Sequence, residues 1–550
     1  MKRVVIVGGV AGGMSAATRL RRLNEELEII IFEKGPYVSF ANCGLPYYIG
    51  GEITERSDLL VQTPEQLKAR FNLDVRPFHE VTEVLPEEKV VVVRANGQTE
   101  RVSYDKLILS PGAKPFIPPA EGIDEAENLF TVRNVPDVDR IMQHMEKQAP
   151  KRAVVIGAGF IGLEMAENLA ERGLHVTVVE KAPHVLPPLD TEMAAQIERE
   201  LVANKVEVRT GVAAEAFLEA GRQIRLDDGT RLAADLIILA VGVTPAVDFL
   251  EGSGIETGLR GAIVVNENYQ TNLPDVWAIG DAVVVKHQVS GKDALISLAS
   301  PANRQGRITA DILNGQSRPN SGFIGTAIVR VFGQTAATTG LNEHQLQQMG
   351  MAHQAVHIQS KNHAGYYPGA VPILLKVLFD PQTGKLLGAQ AVGENGVDKR
   401  IDVLATALKA EMSVFDLPEL ELTYAPPFGS AKDPVNMAGY AAMNLMEGMS
   451  ENIQWHELMA ELEAGAVLLD VRNPEELRNG HFEGALNIPL NDLRNRMSEL
   501  SQETNYIVTC QVGLRGYIAE RQLKNAGFHV KNLDGGFSLY QSVSKEGVEK

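Results

Sequence analysis

Short apolar runs bounded by glycine turns organise this chain. Val4–Val7 is apolar at every position, the pattern of a strand buried on both faces in a parallel sheet. It meets Gly8-Gly9-Val10-Ala11-Gly12-Gly13, then a stretch that reads as a helix carrying Arg19, Arg21 and Arg22, then Glu28-Ile29-Ile30-Ile31-Phe32-Glu33 as a second strand. The same strand–turn–helix–strand order recurs at 152–180, from Ala153–Ile156 through Gly157-Ala158-Gly159-Phe160-Ile161-Gly162 to Val176–Glu180. A unit repeated at this size is a functional module and not a solenoid period. Two βαβ units predict two dinucleotide-binding domains. Residues 321–445 hold apolar runs between turns, such as Pro372-Ile373-Leu374-Leu375-Lys376-Val377, with no phosphate loop, which predicts a mixed α+β domain. Beyond Met446-Glu447-Gly448-Met449-Ser450-Glu451, Val467–Val471 and Tyr506–Cys510 read as buried strands with helices between them.

These patterns give an α/β architecture of two Rossmann-like domains, an α+β domain and a C-terminal α/β domain. The expected bounds are 1–115 with 247–320 for the first nucleotide domain, 116–246 for the second, 321–445 for the third, 446–454 for a linker and 455–550 for the last. A length of 550 residues suits about three or four domains. The net charge of −18 argues against a general nucleic-acid binder. The absence of a run of about 18 uncharged apolar residues argues against a membrane span. Residues 1–8 run into a glycine turn without a cleavage site, so they read as a strand and not as a signal peptide. With no disulfide framework, the expected compartment is the cytoplasm.

In a βαβ turn, glycine lets the backbone approach a pyrophosphate whose charge rests on the helix N-terminus, and a carboxylate about 20 residues on holds the ribose. The second copy matches in full, with Gly157, Gly159, Phe160 and Gly162 in the turn and Glu180 ending the next strand. The first has Val10 where the second glycine is expected, then Ala11, but keeps Gly8, Gly13 and Glu33, followed by Lys34. Glu180 would bond a free 2′-hydroxyl and repel a 2′-phosphate.

Thr271-Asn272-Leu273-Pro274-Asp275-Val276-Trp277-Ala278-Ile279-Gly280-Asp281 resembles the late flavin motif of the pyridine nucleotide–disulfide oxidoreductases. Tyr104-Asp105-Lys106-Leu107-Ile108-Leu109-Ser110-Pro111-Gly112 resembles that family's strand and turn between its two domains, with Ser-Pro-Gly for the usual Ala-Thr-Gly. The resemblance covers about 445 residues. It implies FAD on the first site, with Ser110, Pro111, Gly112, Gly280 and Asp281 completing it and Asp281 taking a ribityl hydroxyl. It implies a nicotinamide on the second, where Glu180 favours NADH over NADPH.

The chain has two cysteines, and the thiolate is the most nucleophilic common side chain. Cys43 lies in Ser39-Phe40-Ala41-Asn42-Cys43-Gly44-Leu45-Pro46, with Tyr47 and Tyr48 following. Enzymes of this family that use a cysteine pair have a second cysteine nearby; none stands here, so Cys43 cannot close an internal disulfide and alternates between thiolate and an adduct. The segment resembles the coenzyme A disulfide reductases and the single-cysteine NADH oxidases and peroxidases. The peroxidase branch places a histidine in the first glycine turn, where this chain has Val10 and Ala11. The resemblance implies two tyrosines near the sulfur, carried over as Tyr367 and Tyr424, given by the partner subunit of a homodimer. The plain alternative for each is a buried aromatic with a satisfied hydroxyl. For coenzyme A, as substrate or bound ligand, the candidates are Arg19 and Arg22, which lie three apart on one helix, with Ser39, Asn42, Asn303, Arg307 and Lys432. The alternative for the arginines is a solvated face. The histidines, His363 included, read as structural, and no metal is expected.

Cys510 opens the loop Cys510-Gln511-Val512-Gly513-Leu514-Arg515. Together with Leu469-Asp470-Val471-Arg472, Gly480-His481-Phe482-Glu483-Gly484-Ala485 and Asp534-Gly535-Gly536-Phe537, it resembles a single rhodanese domain. Successive N–H groups turned inward form an anion nest that stabilises a persulfide, and Arg515 is expected to add a positive charge. A phosphatase of the same fold would have one more loop residue and a histidine at position 509, where this chain has Thr509. Asp470, Arg472 and His481 read as scaffold.

The fusion resembles NADH-dependent persulfide reductases, coenzyme A disulfide reductase–rhodanese fusions. It implies a small sulfane-sulfur substrate and sulfide release through a Cys43 mixed disulfide, with Cys510 as sulfur carrier. Coenzyme A disulfide reduction, NADH oxidation by oxygen, and a redox-sensing or sulfur-delivery role remain as alternatives.

Overall fold

A computed structural model describes residues 2–318, 320–544 and 546–549, so Met1, Pro319, Lys545 and Lys550 lie outside the described residues. The chain divides into two compact units, one of residues 1–181 and 205–325 and one of residues 182–204 and 326–550.

The first unit is built on two five-stranded parallel sheets. In one, the order is Val276–Ala278, Lys106–Leu109, Arg3–Val7, Glu28–Phe32, Asp74–Arg76. In the other it is Glu207–Thr210, His175–Glu180, Arg152–Ile156, Leu236–Leu239, Leu129–Phe130. The central strands are buried throughout Val4–Val7 and Ala153–Ile156, which is why both read as unbroken apolar runs. Each fully buried Val or Ile contributes about 1.5–3 kcal/mol over the exposed state. Each sheet carries a three-stranded antiparallel meander, Glu80–Leu85 with Val90–Ala95 and Gln98–Ser103, and Ala214–Leu218 with Gln223–Leu226 and Arg231–Ala233. The chain leaves the first sheet and returns through one antiparallel ribbon, in which Ala113–Pro115 pairs with Val243–Pro245.

Helix Ala11–Leu23 packs on helix Ala299–Leu313 at very short range. A Cβ on Gly306 would stand 2.3 Å from the Gly12 carbonyl oxygen, so only glycine permits this crossing. Arg21 is buried and spends its guanidinium on the carbonyls of Phe71, Asn24, Glu25, Leu27 and Asn72. It is a structural pin and offers nothing to a ligand.

In the second unit, an antiparallel sheet runs Ala327–Val331, Gln334–Gly340, Leu386–Gly393, Pro372–Phe379, Gln354–Lys361. Helices Val397–Lys409, Pro434–Met446 and Thr191–Ala203 pack on it. The C-terminal sheet is parallel, in the order Asn452–Ile453, His529–Leu533, Asn505–Thr509, Val467–Asp470, Leu486–Asn487. Residues 452 and 453 of the segment read as linker form its edge strand. Among the described residues no helix is long and apolar enough to cross a membrane.

Candidate functional site

Both glycine turns have the geometry that a dinucleotide requires. In the first, a Cβ on Gly8 would lie 2.0 Å from the Ser110 carbonyl oxygen, and one on Gly13 would lie 2.0 Å from that of Gly8. These glycines let strand, turn and helix close on each other. Glu33 Oε2 accepts from the Gly9 N–H at 2.9 Å, and its Oε1 from the Gly35 N–H at 2.8 Å, so the carboxylate is held at the strand end. In the second turn, Gly157 and Gly162 are equally crowded, whereas a Cβ on Gly159 would meet nothing within 4 Å. That open space before helix Phe160–Glu171 fits an approaching pyrophosphate. Glu180 Oε2 accepts from the Ala158 N–H at 2.7 Å. Val10 is the N-cap of the first helix, Ala11 begins it, and Lys34 is exposed beside Glu33. Gly112 has φ +68°, and Pro111 precedes it at the mouth of the ribbon.

Cys43 stands in a single 3₁₀ turn, Asn42–Gly44, directly before helix Leu45–Gly50, and is exposed. Three groups distant in sequence converge on it. Arg133 holds the turn, accepting the Asn42 amide on its carbonyl oxygen at 2.8 Å and donating from Nε to the Ala113 carbonyl at 2.9 Å. Its guanidinium lies 3.6 Å from Asp281. Glu164 accepts from the Tyr47 hydroxyl at 3.1 Å. Partial burial of the sulfur pushes the Cys43 thiol up, Glu164 and Asp281 push further, and Arg133 opposes them. Burial also raises the Asp281 carboxyl, against Arg133. Sequence reading missed Arg133 and Glu164, which carry no motif of their own, and gave Tyr47, named within the Cys43 segment, no role. Gly280, beside Asp281, is fixed by donating to Gln305 Oε1 at 2.6 Å.

The coenzyme A candidates fall into separate places. Asn303 Oδ1 accepts from the Ser15 hydroxyl at 2.5 Å, joining the two packed helices. Arg19 is paired with Asp311 at 2.6 Å, whereas Arg22 is exposed over the Phe71 ring and Arg307 is exposed on the second helix. Ser39 has φ +46° and donates its N–H to the Gly9 carbonyl, tying the Cys43 segment to the first glycine turn. In the second unit Lys432 lies 5.9 Å from the Tyr440 ring centroid.

Both expected tyrosines are exposed, Tyr367 at 42% and Tyr424 at 49%. Tyr367 packs edge-on against His363, with ring centroids 5.6 Å apart. Tyr366, which is 77% exposed, meets Tyr424 hydroxyl to hydroxyl at 3.1 Å. That hydrogen bond raises the Tyr366 phenol. The adjacent phenol pair is therefore Tyr366–Tyr424, and Tyr367 lies outside it.

Cys510 is 1% exposed at the end of strand Asn505–Thr509, and its Sγ accepts from the Gly513 N–H at 3.1 Å. Its carbonyl accepts from Phe537, and the Gln511 carbonyl accepts from Ser538, so the start of helix Gly536–Val543 cups the loop. A Cβ on Gly536 would stand 2.5 Å from the Cys510 carbonyl oxygen. Val512 and Leu514 complete the loop, with Leu514 exposed. Arg515, the positive charge expected at the loop end, is held by a carboxylate. Both Glu476 oxygens accept from its guanidinium, at 2.7 and 2.6 Å. Asp470 and Arg472 form a second, buried pair at 2.7 Å, and Arg472 also holds Gln511 at 3.1 Å. They are scaffold, as is His481, paired with Glu549 at 3.1 Å.

Among the described residues one acidic trio, Asp190, Glu192 and Glu343, brings its oxygens within 4.8 Å of one another. Lys376 Nζ lies 2.8, 2.5 and 2.5 Å from those three carboxylates and fills the space between them.

Residues 2–306 match the pyridine nucleotide-disulphide oxidoreductase model, 326–434 its dimerisation domain and 454–542 the rhodanese-like domain. The coenzyme A disulfide reductase of Staphylococcus haemolyticus (strain JCSC1435) is 39% identical over 448 residues, 81% of this chain and 100% of that protein. The solved structure of reduced Bacillus anthracis CoADR-RHD is 51% identical, with a TM-score of 0.99 over 100% of this chain and 99% of that one. The NAD-dependent persulfide reductase from A. fulgidus is 37% identical, with a TM-score of 0.92 over 98% of this chain and 100% of that one. With its two glycine turns, its lone cysteine after the first and a loop of N–H groups around Cys510, the chain belongs to the pyridine nucleotide–disulphide oxidoreductase family, whose members use FAD and NAD(P)H, and carries a rhodanese-like domain as well.

Proposed function

We propose that this chain is a homodimeric flavoprotein that uses NADH to reduce coenzyme A persulfide, or a related sulfane sulfur, to sulfide. The carrying observation is Cys43 itself: its sulfur is exposed, and the only other cysteine of the chain, Cys510, is buried in its own nest. The second sulfur of any disulfide at Cys43 therefore comes from substrate. Cys43 thiolate attacks the inner sulfur of the persulfide, the S–S bond breaks, and hydrosulfide leaves a Cys43–coenzyme A disulfide. Two electrons and one proton then cleave that disulfide to Cys43 thiolate and coenzyme A thiol. FAD, when bound at the first glycine turn and Asp281, supplies the path for those electrons from NADH.

The chain's own groups provide the rest. Arg133 favours the Cys43 thiolate, while Glu164 restrains it. In a dimer made through the dimerisation domain, the exposed Tyr367 and Tyr424, the latter paired with Tyr366, are offered to Cys43 of the partner subunit, and one hydroxyl donates the proton to the departing thiolate. The Glu180 carboxylate supports NADH through its repulsion of a 2′-phosphate. At Cys510, the thiolate takes the outer sulfur of a persulfide, and the donor leaves as a thiol carrying the proton. The Gly513 N–H supports the anion so formed.

Turnover with coenzyme A persulfide, coenzyme A disulfide and oxygen tests the reading in wild type, Cys43→Ser and Cys510→Ser. Persulfide should be the best substrate, and sulfide release should vanish in Cys43→Ser. A Cys43→Ser protein that still releases sulfide with NADH would sink the assignment. The second reading, coenzyme A disulfide reduction, is supported by the Staphylococcus relatives and uses the same thiolate attack. It prevails if the disulfide outruns the persulfide. Slow turnover with every substrate would favour the sensor or sulfur-delivery role.

A further inference from the structure

A cluster of buried charges takes no part in the steps above. It lies wholly within the second unit. Lys376, on strand Pro372–Phe379, is 0% exposed. It is surrounded by Asp190, by Glu192 at the start of helix Thr191–Ala203, and by Glu343 at the start of helix Glu343–Met349. Asp190 is also held by Gln390, which accepts from its N–H at 2.7 Å and donates to its Oδ2 at 2.6 Å. Next to Lys376, on strand Gln354–Lys361, His357 stands between two carboxylates. Its Nδ1 is 2.8 Å from Asp534 Oδ2, and its Nε2 is 3.1 Å from Glu192 Oε1. A carboxylate oxygen only accepts, so both ring nitrogens must carry a proton, and the ring is an imidazolium.

Asp534 is the residue that matters for the sulfur nest. Its carboxylate accepts from the His357 backbone N–H at 3.2 and 3.1 Å and from Gln454 Nε2 at 3.1 Å, besides the imidazolium. Two residues on, Gly536 is pressed against the Cys510 carbonyl, and Phe537 and Ser538 donate to the carbonyls of Cys510 and Gln511. A chain of direct contacts thus runs from His357 through Asp534 and the turn at Gly535 to the backbone that aims the nest at Cys510.

We propose that His357 is a positioning residue for sulfur transfer at Cys510, holding the nest in shape through Asp534, so that the rhodanese domain works as a part of the reductase body and not as an independent module. The proposal rests on the reading of Cys510 as a sulfur carrier. Burial pushes the His357 imidazole down, but Asp534 and Glu192 outweigh it and lift it to about 9, with Lys376 opposing. Other charged groups face the same cluster. Burial works against ionisation of Glu192 and Glu343, yet Lys376, His357 and His353 hold Glu192 well below the usual range and Glu343 at about 2, while Glu343 raises His353. Lys376 is held above its ordinary value by its three carboxylates, against its burial. The clamp is therefore complete below about 6.5 and is lost as pH rises through about 9.

The test uses the full-length flavoprotein. The apparent pKa of Cys510 is read from the pH profile of its alkylation by iodoacetamide, resolved from Cys43 by peptide mass, and sulfur transfer to cyanide is followed in parallel. In His357→Gln the Cys510 pKa should rise by about one unit as the nest loosens, and transfer should slow about tenfold with reduction of coenzyme A disulfide unchanged. Wild-type transfer should fall above pH about 9, and His357→Gln should lack that limb. An unchanged Cys510 pKa with an unchanged transfer profile in the variant overturns the proposal. If His357→Gln does not fold, the wild-type profile decides: transfer that stays level through pH about 10 overturns it. A wild type in which Cys510 carries no sulfur refutes the carrier reading instead, and the alkylation comparison still decides the role of His357.

Discussion

Gly159→Val separates a ligand-binding glycine from a packing glycine within one turn. Gly159 caps helix Phe160–Glu171 with φ −76° and ψ −171°, extended backbone that valine adopts without strain. A Cβ there would meet nothing within 4 Å, so the fold loses no contact and stability should change by no more than about 0.5 kcal/mol. The isopropyl group would instead occupy the space before the helix N-terminus, where backbone N–H groups would meet the nicotinamide dinucleotide's pyrophosphate. A hydrogen bond to a charged group contributes about 1.5–3 kcal/mol, so loss of one weakens NADH binding about 10- to 150-fold. Gly162→Ala is the control with the opposite signature. Its Cβ would stand 1.9 Å from the Gly157 carbonyl oxygen, so the turn must open and the melting temperature must fall. Calorimetric titration with NADH and thermal melts of both variants check this. A Gly159→Val protein that melts several degrees low but binds NADH as wild type would refute the reasoning.

Glu164→Gln removes a carboxylate that raises the Cys43 thiol. Its alkylation by iodoacetamide near neutral pH should quicken, with the midpoint of the pH profile moved down; a midpoint unmoved or raised counts against this environment. Glu476 is lowered to about 2 by Arg515. Its pair therefore contributes stability above the usual carboxylate range that disappears as pH falls through about 2, and its half-exposed geometry limits it to about 1 kcal/mol. Glu476→Gln should narrow the difference between melts at neutral and acid pH, and an equal fall in both proteins would contradict the assignment.

What the sequence disclosed and what it hid follow a physical division. Strands buried on both faces are written as unbroken apolar runs, and glycine turns are local, so Val4–Val7, Gly157–Gly162 and the Cys510 loop were readable at once. The groups that tune the sulfurs come from far along the chain. Asn42 reaches Arg133 across 91 positions, Tyr47 reaches Glu164 across 117, and His357 reaches Asp534 across 177. No spacing rule spans such intervals. Which of Tyr366 and Tyr367 meets the Tyr424 hydroxyl was hidden for a nearer reason. Neighbouring side chains in a turn diverge, and only the backbone decides which one meets Tyr424. The carboxylate that pairs with Arg515 was hidden too, because Glu476 lies 39 positions away.

The ribbon of Ala113–Pro115 against Val243–Pro245 has a consequence for engineering. Val243 pairs with Pro115 and Pro245 with Ala113, so the segment between them begins and ends at neighbouring Cα atoms about 5 Å apart. Such a segment behaves as an insertion with a single doorway. The corresponding segment of a relative can be exchanged through it with both flanking strands untouched, provided that Arg133 and Glu164, which meet the Cys43 segment, are kept.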